Sequence, residues 1–364
     1  MRIAVDATFI RRGRVGGAEH MVRNLVRGLA EVGAPVEVLV QEGEWEGMPG
    51  VPVFEAPRWL NRFAAGAYAA AARRQSYDAF VGANYFVPPL ATRGRRSCGV
   101  IHDVQYARYP EFFSTRKRTW LRIAHSTTLR VADVVVAISE SVRGDLAALH
   151  GPTHARKIVV IPDPVSWERF SSASAVPVPF PYVLAVAAQY PHKNLDTLVR
   201  AFTRLKASPD LADLRLVLVG QASSALVSVI GEDRVARAVA ESPVADDILR
   251  VGYVDDRTLG GWYRGASVLA LPSLFEGFGM PAVEALGLGI PTVTTRCAAL
   301  PESTLGLAQY VDDPLDDSEL ADVLAAVIRS RERYTPSAEA VETVRATYAP
   351  HRVARLYLEA LTSR

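Results

Sequence analysis

Ser171-Ser172-Ala173-Ser174-Ala175-Val176-Pro177-Val178-Pro179-Phe180-Pro181 is the stretch on which the reading of the architecture turns. Its small residues and prolines read as an interdomain linker, since they neither bury much apolar surface nor continue a regular element. On both sides of it, short β-branched runs alternate with longer helical patterns. Upstream, Ile3–Phe9, Val36–Val40, Ala79–Gly82, Cys98–His102, Val134–Ser139 and Ile158–Ile161 are apolar on both faces, as strands of a helix-covered parallel sheet must be. Downstream, Tyr182–Ala188, Leu214–Gly220, Leu249–Val254, Ser267–Leu271 and Thr292–Thr295 repeat the pattern. Between strands lie amphipathic helices; in Ala18–Val32 the apolar Met21, Val22, Leu25, Val26 and Leu29 recur at three- and four-residue spacing. The expected fold class is α/β, two Rossmann-like doubly wound domains facing a cleft, with ligands beyond the carboxyl ends of the strands. The predicted division is an N-terminal domain over 1–170, a linker over 171–181, a C-terminal domain over 182–346, and a final helix over 347–364 packing back on the N-terminal domain.

Size and composition agree with two domains. A chain of 364 residues exceeds what one hydrophobic core organises, and its 49% apolar and 22% charged residues are those of an ordinary globular protein. The formal charge of +2 gives no reason to expect nucleic acid as a partner. Cys98 and Cys297 are far apart and lack metal-ligand spacing, so both are expected as free thiols in a reducing compartment. No signal-peptide pattern and no long apolar run is visible, which predicts a cytoplasmic protein, at most peripheral on the inner face of a membrane.

Four strand-to-helix junctions carry candidate chemistry. After the strand Ser267–Leu271 the chain reads Pro272-Ser273-Leu274-Phe275-Glu276-Gly277-Phe278-Gly279-Met280-Pro281 and then enters a helix. Gly277 and Gly279 permit close backbone approach, and Pro281 suits a first helical turn. A helix starting near Gly279 would aim its amides and positive dipole end at an anion such as a diphosphate. Glu276 before that helix and Glu284 inside it can accept hydrogen bonds from hydroxyls at two places on an extended ligand; alone, Glu284 would read as an exposed helix acid. Arg14-Val15-Gly16-Gly17-Ala18-Glu19 is a second junction, either a tight turn or a phosphate loop, and does not meet the dinucleotide fingerprint. Lys193, in Gln189-Tyr190-Pro191-His192-Lys193-Asn194, can offset charge on a departing diphosphate, or be a solvated lysine. His102 and Asp103 end the strand Gly99-Val100-Ile101, where a histidine can bond a sugar hydroxyl. Ser139, at a further strand-to-helix turn, reads by itself as a helix N-cap. No Asp-x-Asp triplet or ligand cluster is present, so neither a metal nor another cofactor is expected.

Glu276 and Glu284, with the glycines between them, resemble the Glu-x7-Glu signature of family 4 retaining glycosyltransferases, which have the GT-B architecture, and the resemblance spans nearly the whole chain. It implies a nucleotide-sugar donor and a hydroxyl acceptor, with retention of anomeric configuration. Catalytic roles fall on His102, Lys193 and Glu276, the last beside the donor sugar. Donor contacts fall on Gly16, Gly17, Lys193, Phe278, Gly279 and Met280, with Gly252 and Tyr253 near the base and Glu284 on the ribose hydroxyls. Asp103 and Ser139 are the acceptor-side candidates. The family's arginine upstream of the lysine is missing between Val183 and Lys193, so His192 and Arg296 become candidates for the second cation. Ile161-Pro162-Asp163-Pro164-Val165 stands where relatives carry Asn-Gly.

The stretch from His102 through Tyr109-Pro110-Glu111-Phe112-Phe113 is most like GDP-mannose-type mannosyltransferases, with a UDP-hexose or deoxysugar donor as the alternatives. Arg58–Arg74 and Arg108–Arg130 are rich in cations and aromatics, either as solvated helix faces or as attraction to a lipid-linked acceptor on an anionic membrane. Two other classes fit the same motifs: a sugar-nucleotide epimerase of GT-B fold and a non-catalytic sugar-nucleotide-binding subunit.

Overall fold

The computed structural model describes residues 1–11, 16–221 and 233–363. Arg14 and Val15 of the glycine loop therefore lie outside the described residues. The chain divides into two units, one of Met1–Ser166 with Thr347–Arg364, the other of Trp167–Ala346. Among the described residues no helix is long and apolar enough to cross a membrane.

In the first unit the strands are β1 (Ile3–Asp6), β2 (Val36–Gln41), β3 (Val53–Ala56), β4 (Ala79–Gly82), β5 (Arg96–Ile101), β6 (Val134–Ala137) and β7 (Ile158–Val160). Its longer helices include α1 (Gly17–Glu31), α2 (Arg62–Arg73), α3 (Thr115–Val131) and α4 (Glu140–His150). The second unit has β8 (Tyr182–Val186), β9 (Arg215–Val219), β10 (Ile248–Gly252), β11 (Val268–Leu271), β12 (Thr292–Thr295) and β13 (Gln309–Val311). Among its helices are α5 (Leu195–Leu205), α6 (Asp256–Gly265) and α7 (Met280–Gly287), and α8 (Pro350–Thr362) returns to the first unit.

Both sheets are parallel throughout. Their strand orders are β3-β2-β1-β4-β5-β6-β7 and β10-β9-β8-β11-β12-β13. The order reverses beside β1 and beside β8, giving each sheet a topological switch point, at β1/β4 and β8/β11, where a crevice opens beyond the carboxyl ends. The central strands are buried on both faces, which is why their sequences read as continuous apolar runs. On one face of the second sheet α5 packs through Leu195, Leu198, Val199, Phe202 and Leu205. On the other lie Phe170, Trp262, Tyr263 and Leu300.

Two strands escaped the sequence reading. β3 and β13 are short edge strands, each with one buried residue and a polar residue, Glu55 or Gln309, within it. The linker also needs correction. The unit boundary falls between Ser166 and Trp167, and Phe170 and the segment Ser171–Pro181 belong to the second unit. Ala173 is buried, and Val176 N–H donates to the Gly261 carbonyl at 3.2 Å, so these two residues fasten the segment to α6 while Ser171, Ser172, Ser174 and Ala175 stay exposed. At the other crossing, Val165 N–H donates to the Tyr348 carbonyl at 2.8 Å and Arg96 Nε to the Leu361 carbonyl at 3.0 Å, which ties the C-terminal residues to the first unit.

Candidate functional site

The second unit's switch point brings two sequence candidates into contact. Lys193 follows β8 and Glu276 follows β11, the adjacent strand, and Lys193 Nζ lies 2.7 Å from Glu276 Oε1. Ser273 Oγ donates to the same oxygen at 2.7 Å. Asn194, in the left-handed conformation (φ 55°), turns the chain from the lysine into α5, and its side-chain amide reaches the Pro272 carbonyl at 3.0 Å. Leu274 N–H donates to the His192 carbonyl at 2.7 Å, tying the two loops together. Glu276 is 8% exposed, so this carboxylate is held with little water around it. Of the substitutes for the missing arginine, Arg296 is bound to Asp312 at 2.6 Å and lies over the Tyr310 ring, while His192 stacks on Tyr190.

Just beyond Glu276, α7 begins. Gly279 caps it at φ 82°, a left-handed value that glycine adopts without strain. A Cβ there would also sit 2.5 Å from Leu300 Cδ2. In its first turn Pro281 has no N–H and Ala282 N–H donates to the Gly279 carbonyl at 2.9 Å, so the Met280 N–H is the first-turn donor at the place where a diphosphate was expected. Phe278 and Met280, on either side, have buried side chains, which leaves their backbone as the part able to face a ligand. Gly252 ends β10 at φ 78° and Tyr253 beside it is 49% exposed.

Glu284 is not the exposed helix acid that isolation would suggest. It is 3% exposed, and each carboxylate oxygen accepts one hydrogen bond: Arg169 Nη2 donates to its Oε1, and Tyr263 Oη donates to its Oε2 at 2.8 Å. Burial pushes its carboxyl above the usual glutamate range, and the Arg169 charge and these hydrogen bonds pull against that rise. Trp167 Nε1 donates to the Glu284 carbonyl at 3.1 Å, and its indole covers Gly287, where a Cβ would meet ring atoms at 2.2–2.5 Å. Arg169, Tyr263 and Trp167 were missed from sequence. An Arg-Phe pair beside the presumed linker was the available signal, and it does not name a partner 115 residues away.

In the first unit His102 follows β5 and is 8% exposed. Its Nε2 lies 2.8 Å from the Ala83 carbonyl oxygen. A carbonyl only accepts, so Nε2 carries a proton in this contact. Asp103 accepts from Tyr85 Oη at 3.0 Å and from Gln105 N–H at 3.0 Å. Tyr85, also missed, has φ 63° without being glycine, and its ring meets that of His102 edge-on at 5.5 Å. Ser139 is 1% exposed and its hydroxyl accepts from Val142 N–H at 3.2 Å, so it serves as the N-cap of α4. Gly16 caps α1, and both Gly16 and Gly17 are exposed, with open space at their Cβ positions. Among the described residues no group of three or more His, Cys, Asp or Glu is placed to hold a metal ion.

Comparison with known proteins places this geometry. Residues 15–169 match the family described as Glycosyltransferase Family 4, and residues 180–330 match Glycosyl transferases group 1. The O-antigen chain mannosyltransferase B of Escherichia coli is 27% identical over 245 residues, 65% of this chain and 61% of that protein. A D-inositol 3-phosphate glycosyltransferase of Xylanimonas cellulosilytica is 31% identical over 224 residues, 57% of this chain and 51% of that protein. The chain thus spans between about half and three-fifths of the length of these curated relatives. The solved sucrose-phosphate synthase of Thermosynechococcus elongatus superposes with a TM-score of 0.76 at 21% identity, covering 99% of this chain and 98% of that one. Both units therefore carry family sequence on a shared architecture, and the chain belongs to the family 4 glycosyltransferases of GT-B fold.

Proposed function

We propose that the protein is a hexosyltransferase that moves a sugar from a nucleotide diphosphate to a hydroxyl acceptor, with retention and without a metal ion. The observation that carries the reading is the Lys193–Glu276 pair at the β8/β11 switch point, beside the helix start at Gly279. The bond between the anomeric carbon and the diphosphate oxygen breaks, and negative charge gathers on the leaving group. Lys193 and the Met280 amide at the start of α7 stabilise that charge. The acceptor oxygen bonds to the anomeric carbon on the face the diphosphate leaves, and its proton passes to the departing phosphate oxygen. Glu276 positions the sugar through its hydroxyls and Glu284 the ribose. His102 and Asp103 serve the sugar and the acceptor.

Mannose from GDP-mannose is the favoured donor, in line with the name of the Escherichia coli relative, with UDP-hexoses as the alternative. A lipid-linked acceptor is favoured by the first unit's exposed Trp59 (83%) and Ile123 (58%), set among the exposed Arg58, Arg116, Lys117 and Arg122. The test is a mass-spectrometric screen of nucleotide sugars with and without lipid extracts. Release of nucleotide diphosphate that depends on an acceptor is expected. Turnover of the donor alone into an isomer identifies an epimerase, and binding without turnover a non-catalytic subunit.

A further inference from the structure

The contacts of Glu284 lead beyond that reading while resting on it. An ionised carboxylate has about four lone-pair positions. Arg169 and Tyr263 take one on each oxygen, which leaves one on each for a pair of neighbouring hydroxyls. Arg169 is itself fixed: its side chain is 10% exposed, Nη1 binds Asp256 at 2.8 Å, and its guanidinium lies 4.3 Å from the centre of the Phe170 ring. Trp167 docks the same turn onto α7 through the Glu284 carbonyl. We propose that Arg169 and Tyr263 are positioning residues that hold Glu284 as a two-point acceptor for the cis-diol of the donor's ribose, so that discrimination between ribonucleotide and 2′-deoxyribonucleotide depends on Arg169.

The groups facing Glu284 are Arg169, Tyr263 and Asp256. Only Arg169 is cationic, so its replacement removes the largest influence opposing burial, leaves the Tyr263 hydrogen bond, and shifts the carboxyl further toward its protonated form. A protonated carboxyl donates one hydrogen bond and loses the symmetric acceptor pair. Raising the pH ionises it again and restores the pair.

Calorimetric titration of the full chain with UDP, GDP and their 2′-deoxy forms tests the idea. In the wild type the ribonucleotide that binds should do so about 10- to 100-fold more tightly than its deoxy counterpart, as expected where a site is built around a hydroxyl. In Arg169→Gln that preference should shrink to about threefold or less near pH 6.5 and widen again near pH 9, a recovery that mere loss of packing would not produce. Tyr263→Phe, which removes one hydroxyl and keeps the ring, should narrow the preference partly and serves if the arginine variant does not fold. A folded Arg169→Gln with undiminished preference at all pH overturns the proposal. So does a wild type that binds ribo and deoxy forms equally, although the glycosyltransferase reading then stands. A wild type that binds no nucleotide sinks both.

Discussion

Both units pair buried carboxylates with cations, as Glu19 with Arg23 at 2.9 Å in the first, but they differ elsewhere. In the second, Glu276 faces Lys193, Glu284 faces Arg169, and Asp196 faces Arg234 at 2.9 Å. In the first, Asp163 Oδ1, His125 Nε2 and His150 Nε2 are buried with no hydrogen-bond partner among the described residues. Pro162 and Pro164 flank Asp163 and supply no N–H to it. Burial raises the Asp163 carboxyl to about 6, against the charge of His102, and lowers His125 to about 3, with His150 and His102 adding to the fall. The second unit therefore pairs its buried carboxylates with cations, as the proposed roles of Glu276 and Glu284 require. The first leaves His125 and Asp163 buried, where loss of solvation lowers the imidazole and raises the carboxyl.

The largest break in this contrast comes from Glu276→Ala. Transfer should fall at least about 1,000-fold with the unfolding midpoint little changed, as read by product formation and thermal melting. Full activity in that variant contradicts the site. Lys193→Ala should lower kcat by about 100- to 1,000-fold and donor KM much less, because the ammonium acts mainly on charge that develops as the diphosphate leaves. An unchanged kcat would move the leaving-group role elsewhere.

Asp163→Asn sharpens the other side. The folded carboxyl, at about 6, lies above its ordinary 3.8, so the protonated form favours the fold. That contribution is fully present below about pH 3.8 and is lost as the pH rises through about 6. The amide variant should be more stable than the wild type by about 1–3 kcal/mol at pH 7 and should lose the slope between those limits, as read by urea unfolding at both pH values. The smallest neutral-pH effect is expected from His125→Phe, within about 1 kcal/mol at pH 7. His125 is depressed below its ordinary 6.5, so its contribution is present above that value and lost as the pH falls toward about 3. The phenylalanine variant should lack this acid slope.

Central strands, helices and the strand–loop–helix spacing around Glu276 and Gly279 were legible because each is a local pattern with one physical meaning. β3 and β13 were not, since each is a short edge strand with one buried residue and a polar residue within it, whereas the edges β7 and β10 kept a readable apolar run. Ser171–Pro181 misled for a related reason: small residues and prolines mark a linker and a largely exposed strap along one unit alike, and burial of Ala173 separates them. Lys193 and Glu276 could be named singly from their junctions, while their 2.7 Å contact depends on β8 lying beside β11. Arg169 and Tyr263 became visible only once folding brought them to Glu284, and the left-handed backbone of Tyr85 has no sequence mark at all.

The central claim is that the second unit's paired glutamates hold a nucleotide sugar for transfer. Its most direct test is acceptor-dependent release of nucleotide diphosphate from a panel of GDP- and UDP-sugars, run in parallel on the wild type and Glu276→Ala. Release by the wild type that requires an acceptor and disappears in the variant is the predicted result. Release that the variant retains, or donor turnover that needs no acceptor, would contradict it.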